Sequence, residues 1–111
     1  MTATPRKLIA SSYIGTSLAT EYTANNVRGM VQNMTLTNRS ASAVLVSVHA
    51  VESGGSAGAS NVIIDDRAIQ AGETYLCAEM AGKVLEPGDF IAAVADAGSA
   101  VVVNASGVEF T

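Results

Sequence analysis

Apolar side chains recur at every second position over much of this chain, and that spacing limits what it can fold into. In "RGMVQNMTLTN" (28–38), Met30, Gln32, Met34 and Leu36 alternate with Val31, Asn33, Thr35 and Thr37. This is the period of a β-strand with one face better buried than the other. In "AVLVSVHAV" (43–51), Val44, Val46, Val48 and Ala50 fall on one side and Leu45, Ser47, His49 and Val51 on the other. Only the polar "RSAS" separates the two runs, so they read as antiparallel neighbours joined by a short loop.

The pattern continues through "VIIDDRAI" (62–69), "TYLCAEM" (74–80), "DFIAAVAD" (89–96), "AVVVNA" (100–105) and "GVEF" (107–110), with "QAGE", "AGS" and "SG" as corners. Toward the front, "RKLIASSYIG" (6–15) and "TSLATEYTA" (16–24) can each hold a strand. The best helical candidate, "YLCAEMAGKVL" (75–85), is interrupted by Gly82. Eight or nine short strands with frequent turn signals predict an all-β fold, either an antiparallel sandwich or a closed barrel. "ESGGSAGASN" (52–61) offers no large side chain to bury and is expected to be the most mobile internal segment.

A chain of 111 residues fits a single domain, 1–111, with residues 1–7 as a candidate extended N-terminal arm. Charged residues make up 14% of it, well below the roughly 25% of ordinary soluble proteins. So bland an exterior suits a subunit that hides surface against copies of itself or a larger assembly. The six basic residues are scattered and the net charge is −4, which argues against nucleic-acid binding, where clustered cations meet phosphates. The uncharged stretches hold too many Ser, Gly and Asn for a membrane span, and residues 1–20 lack the apolar core of a secretion signal.

Candidate chemistry is thin. Glu86 and Asp89 flank Pro87-Gly88, which reads as a type II turn: proline presets the second position, glycine accepts positive φ at the third, and Asp89 can bond nearby amides. Asp65 and Asp66 are adjacent, so on a regular strand they point to opposite faces and converge on one ion only if the strand bulges. His49, the only histidine, reads as a packed strand residue with one hydrogen bond or as a solvent-facing one. Cys77, the only cysteine, excludes an intrachain disulfide and reads as a small buried apolar group. No nucleophile motif or phosphate loop is present. No catalytic residue, metal site or cofactor is therefore assigned.

A run of motifs carries a resemblance. Thr35-Leu36-Thr37-Asn38 ends a strand, Glu52–Ser56 forms an x-x-G-G-S loop, and Asp66-Arg67 precedes the "AGETY" of 71–75. "VLEPGDFI" (84–91) makes the corner and "SGVE" (106–109) the last strand. Together, over residues 28–110, these resemble small all-β virion structural proteins of tailed bacteriophages; residues 1–27 carry no part of the likeness. The resemblance implies a non-enzymatic virion component, assembled in the host cytoplasm.

The expected fold is then an antiparallel β-sandwich, jelly-roll-like. The expected role is a capsid decoration or cement protein acting on the major capsid protein or other virion subunits. It would act as a homo-oligomer, with a trimer favoured, and without nucleic acid, membrane or cofactor. Other expectations are a tail, collar or head–tail junction component, or a carbohydrate- or receptor-binding module with a groove lined by Tyr13, Tyr22 or Tyr75. Contact residues are expected in the loop, at Gly54, Gly55, Ser56, Gly58 and Ser60, and in the arm, at Thr2, Arg6 and Lys7.

Overall fold

The computed structural model describes residues 2–111. Its strands, in chain order, are β1 (Ala3–Tyr13), β2 (Ala19–Thr23), β3 (Arg28–Asn38), β4 (Val44–Val51), β5 (Val62–Ile69), β6 (Thr74–Leu76), β7 (Val84–Leu85), β8 (Phe90–Ala95) and β9 (Val101–Phe110). Among the described residues there is no helix. One sheet runs β1-β9-β3-β6, with β7 also on β3; the other runs β2-β8-β4-β5. Every pairing is antiparallel.

The two sheets form a β-sandwich. Val31, Met34, Leu36, Val101 and Val103 from the first meet Val44, Val46, Val48, Ile91 and Ala93 from the second, all essentially inaccessible to water. The pairings nest: β1 with β9, β2 with β8, β3 with β6 and β7, and β4 with β5, while β9–β3 and β8–β4 join neighbouring layers of the nest. Only the β4–β5 and β6–β7 connections stay within one sheet.

Four expectations need correction. The runs 28–38 and 43–51 are not sheet neighbours, because β3 and β4 belong to opposite sheets. Both carry an apolar face, and placing them across the core buries both faces at once. Next, alternation along β3 is not continuous: a register shift between Val31 and Asn33 changes its phase. Met30 consequently stays on the outer face while Val31, Met34 and Leu36 point inward.

The segments 100–105 and 107–110 are one strand, with no corner at Ser106-Gly107. Gly107 sits where β3 crosses closely: a Cβ there would collide with the Met30 carbonyl oxygen and lie 3.0 Å from Leu8 Cδ1. This glycine serves close approach rather than a turn. Finally, residues 3–7 are no free arm. They pair with β9 from Ala3↔Phe110 to Lys7↔Ser106, and Thr2 and Thr111 exchange backbone hydrogen bonds of 2.8 and 2.9 Å. Burial of Leu8 and Ile9 further along β1 holds the strand in place. Met1 lies outside the described residues.

The crossing from β3 to β4 is organised by Asn38, which is fully buried. Its Nδ2 donates to the carbonyls of Ser42 and Ile69, each at 2.8 Å. Its Oδ1 accepts from the Ser40 amide at 2.8 Å and the Ser40 hydroxyl at 2.7 Å. Its main chain bonds Glu73 and Gly72, each at 2.9 Å, so one residue fixes the ends of β3 and β5 and the turn into β6. Replacing Asn38 with Ala strands several buried partners and is expected to cost about 3 kcal/mol or more in urea unfolding. Gly107→Ala is expected to cost about 1–3 kcal/mol by overpacking against β3.

Candidate functional site

The glycine- and serine-rich connection between β4 and β5 is more organised than its composition suggests. Asn61 closes it: Nδ2 donates to the Ser56 carbonyl at 2.9 Å and Oδ1 accepts from the Gly58 amide at 3.0 Å. The same Oδ1 lies 3.0 Å from His49 Nδ1. An amide oxygen only accepts, so Nδ1 carries the proton and the imidazole is committed to holding the loop. Near its start, the Gly55 amide donates to the Glu52 carbonyl at 2.9 Å, and Gly54 takes a φ of 82°.

The Pro-Gly corner docks against this loop. Gly88 has a φ of 94° and the Asp89 amide donates to the Glu86 carbonyl at 2.9 Å, as a type II turn requires. The carboxylate of Asp89 accepts from the Ser53 amide through Oδ1 and from the Glu86 amide through Oδ2, each at 2.9 Å. A Cβ at position 88 would strike the Ser53 side chain. Asp89 is therefore a tie between two loops. Its partner in sequence, Glu86, turns away to Arg28 Nε at 3.0 Å.

Between loop and corner lies an open cleft of about 660 Å³, with Gly55, Ser56, Ser60 and Asn61 on one wall and Lys83 and Val84 on the other. Its charged groups are Glu52, Lys83 and Asp89. Among the described residues, no group of three or more His, Cys, Asp or Glu side chains is placed to hold a metal ion. The cleft combines these charges with loop hydroxyl and backbone groups and with the aliphatic side chains of Val51, Ile63, Val84 and Leu85.

Of the contact residues expected from sequence, Gly55, Ser56 and Ser60 line this cleft, while Gly54 and Gly58 shape the loop behind it. Thr2, Arg6 and Lys7 do not join them. Thr2 is paired to Thr111, and Arg6 Nε makes an ion pair with Glu109 Oε1 at 3.1 Å. Lys7 borders a separate small hollow with Ala10, Ser11 and Asn104. The charge of Arg6 is thus met within the same chain.

Glu109 also accepts from the Tyr22 hydroxyl at 2.5 Å. Burial, reinforced by that bond, pushes the Tyr22 phenol well above its ordinary range. The trio Arg6–Glu109–Tyr22 joins β1 and β9 to β2, closing one open side of the sandwich. On the opposite side, Arg67 of β5 lies 4.1 Å above the ring of Tyr75 of β6. The Tyr75 hydroxyl reaches both carboxylate oxygens of Glu79, at 2.6 and 2.7 Å. That hydrogen bond holds the Glu79 carboxyl below its ordinary 4.5 and raises the Tyr75 phenol.

The remaining candidates have structural partners too. Ser47 stands opposite a bulge formed by Asp65 and Asp66, with Asp66 at a φ of 45°. The Asp66 amide donates to Ser47 Oγ at 2.9 Å, and that hydroxyl donates to Asp66 Oδ1 at 3.2 Å. Cys77 is buried, and burial pushes its thiol up to about 12, far from the range of a reactive thiolate. The three tyrosines share no groove: Tyr22 and Tyr75 serve the two closures, and Tyr13 accepts from Arg39 Nη1 at 2.7 Å.

No protein family, no curated protein and no solved structure matches this chain. Sequence reasoning missed Asn61, although an Asn closing a run of small residues is a recognised signal for side-chain bonding to nearby backbone. It also missed Glu109 and Glu79, whose partners are set by long-range packing and a tight turn.

Replacing Asn61 with Ala is expected to raise the amide exchange rate of Gly58 and its neighbours and to destabilise the fold by about 1–2 kcal/mol. Because the folded value for Glu79 is depressed, its contact with Tyr75 stabilises the protein above the unfolded glutamate range near 4.5. That contribution fades as pH falls through the lower, folded value. Tyr75→Phe is expected to return the Glu79 titration, followed by NMR, toward 4.5 and to weaken the loss of stability in acid.

Proposed function

We propose that this chain is a non-enzymatic structural protein of a tailed-bacteriophage virion, foremost a capsid decoration or cement protein. In this role it binds the major capsid protein or neighbouring subunits as a homo-oligomer and strengthens the shell by surface burial. The nested pairing of β1–β9, β2–β8, β3–β6/β7 and β4–β5 supports a jelly-roll reading of the sandwich.

The observation that carries the proposal is the state of the five strands that form the four sheet edges. On β1, Pro5 lacks an amide and two register shifts interrupt the ladder. β2 has five residues and a shift of its own. β5 is bulged and acidic at Asp65-Asp66, and β6 and β7 have three and two residues. Edges blunted in these ways resist strand addition. A protein crowded at high copy on a shell needs that protection, since open edges would drive it into fibres of its own. Sheet faces and end loops, including the cleft at Ser56 and Ser60, are left for specific contact.

A gross gain of about 25 kcal/mol accompanies each 1,000 Å² of apolar surface removed from water, much of it offset by lost rigid-body and side-chain freedom. Even a small net term per copy becomes large when repeated over a closed shell. Quantitative mass spectrometry of purified particles tests the proposal. Hundreds of copies per particle are expected for the capsid role. About a dozen or fewer would move the protein to the tail, collar or head–tail junction, and absence from particles would remove the virion reading altogether.

A further inference from the structure

We propose that the outward face of the β1-β9-β3-β6 sheet is the contact surface of a two-fold dimer, occupied by the same face of a second copy of this chain. The register places Pro5, Val108, Met30 and Val84 side by side in one row across β1, β9, β3 and β7. Val84 is 52% exposed, and Leu76, beside Thr35 further along the face, is 70% exposed. Blunted edges leave this row no route into a continuous sheet.

Several polar side chains between the apolar ones are already bonded to each other. Ser106 Oγ donates to Asn33 Oδ1 at 2.9 Å, Asn104 Nδ2 donates to Ser11 Oγ at 2.7 Å, and the Thr37 and Thr74 hydroxyls are bonded at 3.1 Å. Covering groups whose hydrogen bonds are made within the chain costs far less than covering free ones. Such a face can lose its water cheaply.

Charge and shape select the occupant. Charge on this face is sparse: Arg28 is paired with Glu86, Arg39 donates to the Tyr13 hydroxyl, and Lys7 is the remaining cation. A strongly charged partner would find few groups to pair with, whereas a second sparsely charged face needs only to keep its Lys7 at the rim, where water still reaches it. Two copies of one sheet also share one twist, so they stack in the aligned manner of any sandwich, at about −30°. Ten residues of β9 give a length of about 33 Å, and four strands about 4.8 Å apart give a width of about 19 Å. That footprint, roughly 600 Å² before side-chain relief is counted, approaches the roughly 800 Å² per partner of a standard interface.

A face meeting itself is an isologous, two-fold contact, so the product is a pair and not the trimer expected from sequence. The inference stands on the face alone and does not depend on the virion reading.

Sedimentation analysis of the full chain, at up to about 100 µM, tests it. The wild-type protein is expected at twice the 11.3 kDa chain mass. Leu76→Arg and Val84→Arg alter side chains already exposed in the monomer, so folding is spared, with unchanged circular dichroism as the check. Each is expected to weaken the dimer at least about tenfold. Leu45→Arg, at a 40% exposed position on the other sheet, is expected to leave it intact. A wild-type monomer, a trimer, a dimer indifferent to both face variants, or equal weakening by Leu45→Arg overturns the proposal.

Discussion

The buried amide of Asn38 is the constraint on which the rest of the sandwich depends. A chain that passes from sheet to sheet must turn sharply at the end of each strand, and each turn exposes backbone groups that cannot be buried unpaired. At the β3–β4 crossing, one side chain uses both donors and its carbonyl oxygen on that problem, reaching Ser40, Ser42 and Ile69 together. Because β5 ends at Ile69 and the turn into β6 bonds the Asn38 main chain, the spacing between the two sheets at this end is set in the same place. An apolar residue there would fill the volume and lose the connection.

The sides of the sandwich follow a related logic. Sheets that end in short or bulged strands leave the core open at their margins, and here each margin is closed by an arginine, a tyrosine and a glutamate. At β1 and β2 the glutamate is central, taking the ion pair from Arg6 and the hydroxyl of Tyr22. At β5 and β6 the tyrosine is central, with Arg67 above its ring and Glu79 on its hydroxyl. In both cases the ring supplies apolar cover and the polar tip meets water or charge, which is what a half-buried margin requires. A protein with so few charged residues thus places several of them at its seams.

Strand identity was legible in the sequence because alternation and turn residues are local properties. Residues 28–38 and 62–69 are strands with the bounds the pattern implies, and Pro87-Gly88 forms the turn its chemistry demands. Partnership was not legible. Whether β3 lies beside β4 or across from it depends on where two apolar faces meet, and the register shift within β3 is decided by the geometry of β9. Gly107 illustrates the ambiguity: glycine after serine reads as a corner, yet it is needed because another backbone passes too close for any side chain. For the candidate site, loop composition pointed to Gly55, Ser56 and Ser60, but Asn61 and the Asp89 tie emerge only when both loops are seen to share one end of the fold.

The motifs behind the resemblance fall largely on these joints. Asn38 organises a crossing, Gly72 takes a φ of 76° in the turn before β6, Gly88 and Asp89 lock the corner to the loop, and Gly107 and Glu109 seat the last strand against its neighbours. These are positions a sandwich of this connectivity can least easily change. Surface positions are free of that constraint. The outward face of the first sheet combines exposed aliphatic groups with amides and hydroxyls bonded to one another, an arrangement the fold itself does not require, since the core is complete without it. In a chain whose edges are closed to strand addition, a broad face of this kind is one that the proposed dimer can cover at low desolvation cost.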